Sequence, residues 1–300
     1  MRDVSFKNTT KRTALARAEL TASEETIRRV QNGDTPKGDP VPVAKVAAIQ
    51  ATKKTTEWIP YCHNIPIEHV RVDFDFLADR IAVEVFVVSV AKTGVEMEAM
   101  TGAAAAVLTL YDMLKMIDDD MEIVGVRLLS KTGGKSDLPK RSDWSAQVLV
   151  MSDSAHRGEY EDRSGRILEQ ALKGHGAGSV SVKVLPDESD LLVDEVRATA
   201  ERGISLLVIT GGTGVGPRDI TLETLAPLLE KHLPGVVAAF QSYSHSRLPT
   251  AMLARPLAGI IGETVVLAIP GSPGACEDAM VCLMPSLLHV HSMLAGEGHP

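Results

Sequence analysis

The sequence predicts two domains of different fold class: an α+β N-terminal domain with an antiparallel sheet, and an α/β C-terminal domain with a doubly wound, mostly parallel sheet. A length of 300 residues suits two domains better than one core. Near residue 140, paired strands give way to repeated strand–loop–helix units. A polar stretch with glycine and proline lies between them, so we place the domains at 1–138 and 146–300 and a linker at 139–145.

Composition narrows the class of protein. The net charge of −8 does not favour nucleic-acid binding, and three cysteines do not indicate a disulfide framework or zinc cluster. The amino terminus lacks the apolar segment of a secretory signal. Residues 279–296 contain no Asp, Glu, Lys or Arg, but Pro285 and two histidines favour a buried helix over a membrane span. We therefore expect a cytoplasmic protein that binds neither nucleic acid nor membrane.

The N-terminal half alternates helical and strand patterns. Thr21 and Glu24 have the spacing of a capping box, which predicts a short helix that ends at Gly33. Alternating apolar residues predict a β-hairpin with one buried face. The remaining elements are helices at 41–57 and 98–117, a hairpin at 70–76 and 81–87, and a strand at 123–129. This order predicts the antiparallel α+β domain.

In the C-terminal half, four loops follow predicted strands of the parallel sheet. They cover residues 152–154, 186–188, 211–219 and 271–273. Ligands of such sheets bind beyond the carboxyl ends of the strands, so we expect the four loops to converge there.

The glycine-rich loop at 211–219 is the candidate phosphate site. It follows a buried strand at 206–209 and precedes Asp219 and a helical pattern, LETLAPLLEKHL. Glycines permit close approach of the backbone to an anion, and a helix amino terminus stabilises negative charge. On the glycines alone, a tight turn without a ligand is an equal alternative.

In the N-terminal half, Asp112 and Lys115 lie three residues apart on one predicted helix and so share a face. Their neighbours are apolar, and partial burial beside a carboxylate would tune the lysine for proton transfer. The alternative is a solvated ion pair. Lys37, Lys53 and Lys131 supply further cations, each of which could also be an ordinary surface residue.

Glu98 and Asp112 are separated by about 21 Å along the same predicted helix, which is too far for one small pocket in one subunit. If both act on one substrate, the site is shared between subunits of a homo-oligomer. The run Ala103–Ala106 would permit close helix packing at that interface.

Six motifs in order give the N-terminal half a resemblance to cyclic pyranopterin monophosphate synthase of molybdenum cofactor biosynthesis. They are KGD, AAIQATKKT, IPYCHNI, KTGVEMEAMT, LTLYDMLK and SKTGGKS. The resemblance implies conversion of 3′,8-cyclo-7,8-dihydroGTP to cyclic pyranopterin monophosphate, with release of pyrophosphate and no cofactor. Where the family has Leu-Cys-His-Pro, this chain has Tyr61-Cys62-His63-Asn64, so the pocket wall is expected to differ.

The resemblance also implies roles for individual residues of this half. The catalytic group is Asp112, Lys115, Lys131 and His63. The substrate-binding group is Tyr61, Cys62, His63, Met97, Glu98, Lys37 and Lys53. Proton transfer by Asp and Lys and cations for a triphosphate suit the implied reaction.

Residues 146–295 resemble the molybdopterin adenylyltransferase family. The matching pieces are VMSDS, EDRSG, VLPDE, ITGGTGVGPRDIT, LPTAMLARPLAGI and AIPGSPGA. The resemblance implies transfer of AMP from ATP to molybdopterin, with Asp219 as the catalytic acidic residue through Mg²⁺ and Asp187 as a second carboxylate. An Asp-initiated turn is the alternative for Asp187. The implied nucleotide and molybdopterin contacts are Ser152, Asp153, Ser154, Asp187, Gly211, Gly212, Thr213, Gly214, Gly271, Ser272 and Pro273.

Departures from the second family leave two functions open. The common Ser before Arg255 is Ala254, and Gly235 is followed by Val, Val and Ala rather than by Glu. The leading prediction is a bifunctional enzyme of molybdenum cofactor biosynthesis that acts on the cyclic GTP derivative, molybdopterin and ATP. The alternative is an active N-terminal cyclase with a C-terminal pterin- or partner-binding scaffold of little catalytic activity.

Overall fold

A computed structural model describes residues 1–134, 137, 141, 143–159 and 161–297. The chain divides into two compact units, residues 1–137 and 138–300, each with its own hydrophobic core. Residues 139, 140 and 142 of the predicted linker lie outside the described residues. Among the described residues, no helix is both long enough and apolar enough to cross a membrane.

The N-terminal unit is an antiparallel sheet with helices packed on one face. Its strands are β1 Thr10–Thr21, β2 His69–Phe76, β3 Arg80–Ala91 and β4 Glu122–Thr132. Its helices are α1 Glu24–Gln31, α2 Pro40–Lys53, the single turn α3 Thr55–Trp58, and α4 Glu96–Leu114. The strand order is β2-β3-β1-β4, and all three neighbouring pairs are antiparallel. This confirms the predicted fold class.

Alternation along β1 and β3 creates the core face of this sheet. Ala14, Ala16 and Ala18 on β1 are fully buried, as is Val85 on β3. Small residues also bring α4 close to α2: a Cβ at Gly102 would lie 3.1 Å from the backbone oxygen of Ala48. Such close approach leaves no room for larger side chains between the two helices.

Three predictions for this unit need correction. Thr21 ends β1 rather than capping α1, whose first turn is capped by the Ser23 hydroxyl. The whole of β1 was missed, because its core side is largely alanine and lacks the bulky residues of a typical strand pattern. Ala103, Ala105 and Ala106 are buried inside the unit, so they serve its own packing rather than a subunit interface.

The C-terminal unit is a six-stranded sheet with helices on both sides. Its strands are β5 Ser145–Met151, β6 Ser179–Leu185, β7 Leu206–Thr210, β8 Lys231–His232, β9 Leu257–Ile261 and β10 Thr264–Ile269. Its helices are α5 Asp153–His156, α6 Arg163–Gly174, α7 Ser189–Glu201, α8 Thr221–Leu225, α9 Pro234–His245, α10 Pro273–Leu283 and α11 His289–Leu294. The strand order is β6-β5-β7-β10-β9-β8.

Four of these strands are parallel, and the four loops predicted to bind a ligand follow them. β6, β5, β7 and β10 run in one direction, while β9 and β8 complete the edge in antiparallel pairs. Strand β7 is buried along its whole length, as the apolar run predicted. The mostly parallel α/β sheet is therefore confirmed, although β9 and its turn into β10 were not predicted.

Two helix predictions for the C-terminal unit were wrong in extent. The pattern after Asp219 forms only the five residues of α8; a 3₁₀ turn at Ala226–Leu228 and strand β8 follow. Pro227 lies in that 3₁₀ turn, and proline disrupts a continuing α-helix. The apolar C-terminal stretch is likewise divided, since α10 ends before Pro285 and α11 begins after it.

Candidate functional sites

At the carboxyl end of α4, Asp112 is held between two lysines. Lys37 Nζ donates to Asp112 Oδ2 at 2.9 Å and to its backbone oxygen at 2.8 Å. Lys115 Nζ lies 2.7 Å from Asp112 Oδ1. Lys37 reaches this position from the turn before α2, so residues distant in sequence form one cation–carboxylate–cation cluster.

This cluster is exposed, which corrects the expected partial burial. The side chains of Asp112 and Lys115 are 58% and 54% exposed. Hydrogen bonds from Lys115 and then Lys37 lower the pKa of Asp112 to about 2, and the Asp112 carboxylate raises the pKa of Lys115. Within one subunit, Asp112 is therefore an anion and Lys115 a cation at neutral pH, as in the solvated ion-pair alternative.

A groove of about 480 Å³ adjoins Asp112 between α2, α3 and α4. Its polar and aromatic lining includes Gln50, Lys54, Glu57, Trp58 and Thr109. None of these five was among the predicted catalytic or substrate-binding residues, although Lys54 beside Lys53 is a further cation of the sequence. Gln50, Lys54 and Thr109 stood in the quoted motifs and Trp58 beside one of them, and only the fold brings the five together.

The other end of α4 carries a buried acid. The Glu98 side chain belongs to a residue only 4% exposed, and burial, with a smaller effect of Glu96, raises its pKa to about 7. Burial and the nearby Glu98 and Glu96 also raise the pKa of the Cys62 thiol. Lys131 Nζ lies 3.2 Å from Glu96 Oε1, while Glu96 Oε2 is buried without a hydrogen-bond partner. Glu96 stood in the quoted motif but was not selected.

The remaining predicted residues of this unit do not all join these clusters. His63 Nε2 lies 2.8 Å from the backbone oxygen of Arg2, and Tyr61 is 77% exposed. Met97 is half-buried and Lys53 is exposed. The structure thus joins Lys37, Asp112 and Lys115 at one end of α4, and Cys62, Glu96, Glu98 and Lys131 near the other.

In the C-terminal unit, the loops after β5, β6, β7 and β10 meet at one edge, as predicted. The Gly211 N–H donates to the backbone oxygen of Ile269 at 3.1 Å. The Ser164 hydroxyl donates to the Gly271 oxygen at 2.7 Å. A Cβ at Gly271 would lie 3.2 Å from Gly211 Cα, so two backbones touch where side chains would not fit.

Asp153 and Asp187 connect two more of these loops. The Asp153 carboxylate accepts from the Asp187 N–H and pairs with Arg218, and these contacts lower the pKa of Asp153. Burial, opposed by the Asp153 N–H, raises the pKa of Asp187, and its Oδ1 is buried without a hydrogen-bond partner. Asp187 therefore presents an unused oxygen ligand, which a simple Asp-initiated turn would not require.

Asp219 organises the glycine loop itself. Its Oδ2 accepts from the Gly216 N–H at 2.8 Å. The Thr221 N–H and hydroxyl donate to the Gly212 and Gly211 oxygens, which fixes the return of the loop to α8. Arg255, not selected from the sequence, donates to the Gly214 oxygen at 2.8 Å.

Three predicted contact residues lie at the beginning of helices. Ser152 and Ser272 cap α5 and α10, accepting from the N–H groups of Ala155 and Ala275. Pro273 is the first residue of α10. The Ser154 hydroxyl lies 3.2 Å from that of Ser152, and Thr213 accepts from the Arg255 N–H at its backbone oxygen.

The donor set at this edge can be compared with what Mg²⁺ requires. Among the described residues, no three His, Cys, Asp or Glu side chains form a preassembled metal cluster. Mg²⁺, however, is commonly held by one or two carboxylates, substrate phosphates and water. The unpaired Asp187 Oδ1 together with Asp219 fits that pattern, because hard oxygen donors stand beside a loop whose glycines admit phosphate.

A cavity of about 370 Å³ lies next to Ser272, at the amino end of α10. Its polar lining includes Gln241, Arg247, Ser272, Glu277 and Asp278. Ala254 also lines it, at the position where the resemblance led us to expect a serine hydroxyl. The cavity and the four loops share Ser272, so they are adjacent parts of one face.

Family models match each half of the chain. Residues 1–134 match the MoaC family, and residues 147–289 match a family described as "Probable molybdopterin binding domain". The chain thus joins a MoaC domain, in its N-terminal half, to a domain of the second family in its C-terminal half.

Similar proteins have the same arrangement. The "Molybdenum cofactor biosynthesis bifunctional protein" of Chlorobaculum tepidum is 41% identical over 299 residues, covering 100% of this chain and 96% of its own length. The chain belongs to this family of bifunctional molybdenum cofactor biosynthesis proteins. The first half is also 45% identical to the "Cyclic pyranopterin monophosphate synthase" of Corynebacterium glutamicum (strain R), over 49% of this chain and 91% of that protein.

A solved structure resembles the second half. The molybdopterin biosynthesis Mog protein from Mycobacterium ulcerans is 29% identical, with a TM-score of 0.48, over 51% of this chain and 97% of that chain.

Proposed function

We propose that the N-terminal unit converts 3′,8-cyclo-7,8-dihydroGTP to cyclic pyranopterin monophosphate and pyrophosphate, and that the C-terminal unit transfers AMP from Mg-ATP to molybdopterin. The main support for the first activity is that groups able to transfer protons lie at both ends of α4. Glu98, with a pKa of about 7, lies at one end, and Asp112 lies between two lysines at the other.

The charges of the N-terminal clusters suit a triphosphate substrate. Lys37, Lys115 and Lys131 supply positive charge for phosphate oxygens and for the departing pyrophosphate. A pKa near 7 lets Glu98 both accept and donate a proton at physiological pH. Asp112, with its lowered pKa, forms ion pairs with both lysines, and its carboxylate raises the pKa of Lys115.

Both ends of α4 can act on one substrate only if two subunits contribute. We therefore propose a homo-oligomer in which Asp112 of one subunit faces Glu98 of another. The exposed apolar side chains beside the groove, Trp58 and Leu108, support this arrangement, since they would be covered in such an assembly.

The first activity is tested by release of pyrophosphate from the cyclic GTP derivative. We expect the wild type to form the pterin product, and Asp112→Asn and Glu98→Gln to lose about a hundredfold or more in kcat. Lys173→Ala, which alters an exposed pair with Glu169 in the other unit, is the control and should remain fully active. An inactive wild type with bound substrate would refute the cyclase assignment.

In the C-terminal unit, the carrying observation is the convergence of Asp187, Asp219 and the glycine loop. In the proposed reaction, a phosphate oxygen of molybdopterin attacks the α-phosphorus of ATP, a P–O bond forms, and the bond to pyrophosphate breaks. The loop N–H groups would bind phosphate oxygens, while Asp187 and Asp219 would hold Mg²⁺. Mg²⁺ would neutralise charge on the triphosphate.

A second candidate for this unit is a pterin-binding scaffold with little catalysis. Ala254 in the cavity lining favours it, because a hydroxyl present in the resembling family is missing there. Molybdopterin and Mg-ATP turnover by the wild type and by Asp219→Asn separates the two candidates. We expect AMP transfer by the wild type and a loss of about a hundredfold in Asp219→Asn. Molybdopterin binding without AMP transfer by the wild type would establish the scaffold instead.

A further inference from the structure

Arg255 holds the glycine loop from outside the loop. Its backbone N–H donates to the Thr213 oxygen at 3.1 Å, and its Nε donates to the Gly214 oxygen at 2.8 Å. Its Nη2 donates to the Asp219 backbone oxygen at 3.3 Å. One residue thus contacts both the start and the end of the loop.

Glu223 on α8 orients this guanidinium. Arg255 Nη1 pairs with Glu223 Oε1, and Nη2 lies 3.5 Å from Glu223 Oε2. The pair is partly exposed, so its ionic attraction contributes little stability. Its geometric effect is larger, because the planar fork of arginine can bridge two carbonyls and a carboxylate that a lysine ammonium cannot reach together.

The outer half of the loop has further restraints: the Asp219 N–H donates to the Gly216 oxygen at 3.1 Å, and Arg218 pairs with Asp153. Asp219 Oδ2 accepts from the Gly216 N–H, and Val215, which precedes Gly216, is largely exposed. The bond between Arg255 and the Asp219 oxygen adds an anchor to the backbone from which the Asp219 carboxylate projects. Loss of this bond would let the carboxylate move relative to Asp187 without unfolding the sheet.

We propose that Arg255 is a positioning residue that, with Glu223, sets the shape of the glycine loop and the placement of the Asp219 carboxylate for nucleotide transfer. This inference rests on the proposed adenylylation for its catalytic consequence, but its structural consequence is independent of that reaction. Arg255 acts through the loop and is not itself a group that touches the reacting atoms.

The test compares Arg255→Gln and Arg255→Lys with Arg202→Gln in the full chain. Arg202 is a matched control, because it too bonds several groups, Gln147, Glu195 and Thr199, but away from the glycine loop. We measure amide hydrogen exchange over residues 211–221, the thermal midpoint, and kcat and KM for Mg-ATP and molybdopterin.

We expect faster exchange over 211–221 in Arg255→Gln but not in Arg202→Gln. We also expect a loss of about ten- to a hundredfold in kcat, with smaller changes in KM. Arg255→Lys keeps the positive charge but lacks the planar guanidinium. We therefore expect its exchange rates and kcat to be close to those of Arg255→Gln. Unchanged exchange in Arg255→Gln, or full kcat in an active wild-type background, would overturn the proposal. If the wild type transfers no AMP, the proposed function fails, and the exchange result still decides whether Arg255 shapes the loop.

Discussion

The backbone N–H of Asp153 donates to Asp187 Oδ2 at 3.3 Å, and the backbone N–H of Asp187 donates to Asp153 Oδ1 at 3.1 Å. This reciprocal pair connects the loops after β5 and β6. The two carboxylates nevertheless differ: Asp153 also pairs with Arg218, while Asp187 is more buried and leaves Oδ1 without a partner. Asp153 therefore stabilises the loops, whereas Asp187 has an oxygen that is available to a ligand.

The opposite pKa shifts of these acids predict opposite effects of amide substitution on stability. The pKa of Asp187 is raised in the fold, so its contribution to stability is lost as pH rises, and Asp187→Asn should gain stability relative to wild type as the pH rises above the ordinary value of 3.8. The pKa of Asp153 is lowered, so its contribution appears as pH rises, and Asp153→Asn should become relatively less stable. Urea unfolding at several pH values measures both trends, and trends of equal sign would contradict the assignment.

Glu98 predicts a pH-dependent stability of the N-terminal unit. Its folded pKa of about 7 lies above the ordinary 4.5, so the neutral form is favoured in the fold and stability falls as pH rises between these values. Glu98→Gln removes this dependence. Between pH 4.5 and pH 8, the free energy of unfolding of Glu98→Gln should rise by about 1–3 kcal/mol relative to that of the wild type, as measured by urea unfolding. A constant difference across this range would show that Glu98 is ionised in the fold.

Subunit mixing tests whether Asp112 and Glu98 serve one site. We expect Asp112→Ala and Glu98→Ala to be inactive separately. After exchange in equal amounts, random dimers should recover about a quarter of wild-type activity, because half are mixed and each of these has one intact site. Mass measurement must verify the exchange, and each variant mixed with itself is the control. No recovery after verified exchange would place the two residues in separate sites.

Gly211→Ala should be far more damaging than an alanine at an open glycine. Gly211 has φ of 104°, and a Cβ there would collide with the Met151 backbone oxygen. Gly203 also has positive φ, at 69°, but a Cβ there meets nothing within 4 Å. We expect Gly203→Ala to cost about 1 kcal/mol and Gly211→Ala about 3 kcal/mol or more in urea unfolding. Equal costs would mean that the loop after β7 can shift away from β5.

The fold class could be predicted from the sequence because both sheets have clear patterns. Alternation located β3, and continuous apolar runs located β7 and β10. Strand β1 could not be found in this way, because alanines occupy most of its buried positions and the helices pack closely against them. The helix after Asp219 was overestimated because apolar spacing continues through Pro227, whereas the backbone does not.

Many residues of the candidate sites could be predicted from the sequence, but their positions relative to one another could be predicted only in part. Motifs identified Asp112, Lys115 and Asp219, but burial determines how an acid titrates, and burial is a property of the fold. In the fold, Asp112 is an exposed anion with a pKa of about 2, whereas the buried Glu98 has a pKa of about 7. The sequence motifs had instead pointed to Asp112 as the acid that transfers protons. Arg255 was overlooked because its bonds to the glycine loop go to backbone oxygens, which leave no signal in the sequence.

The contacts of the glycine loop also determine when the loop can be completed during synthesis. Its residues emerge after β7, but its restraints come later in the chain: Arg255 binds Gly214, and Ile269 accepts from Gly211. A nascent chain that ends before residue 255 already contains the loop sequence but lacks both partners. The edge formed by these loops is therefore expected to form only after residues 255–269 have been made, and truncation before residue 255 should abolish it while the first domain folds normally.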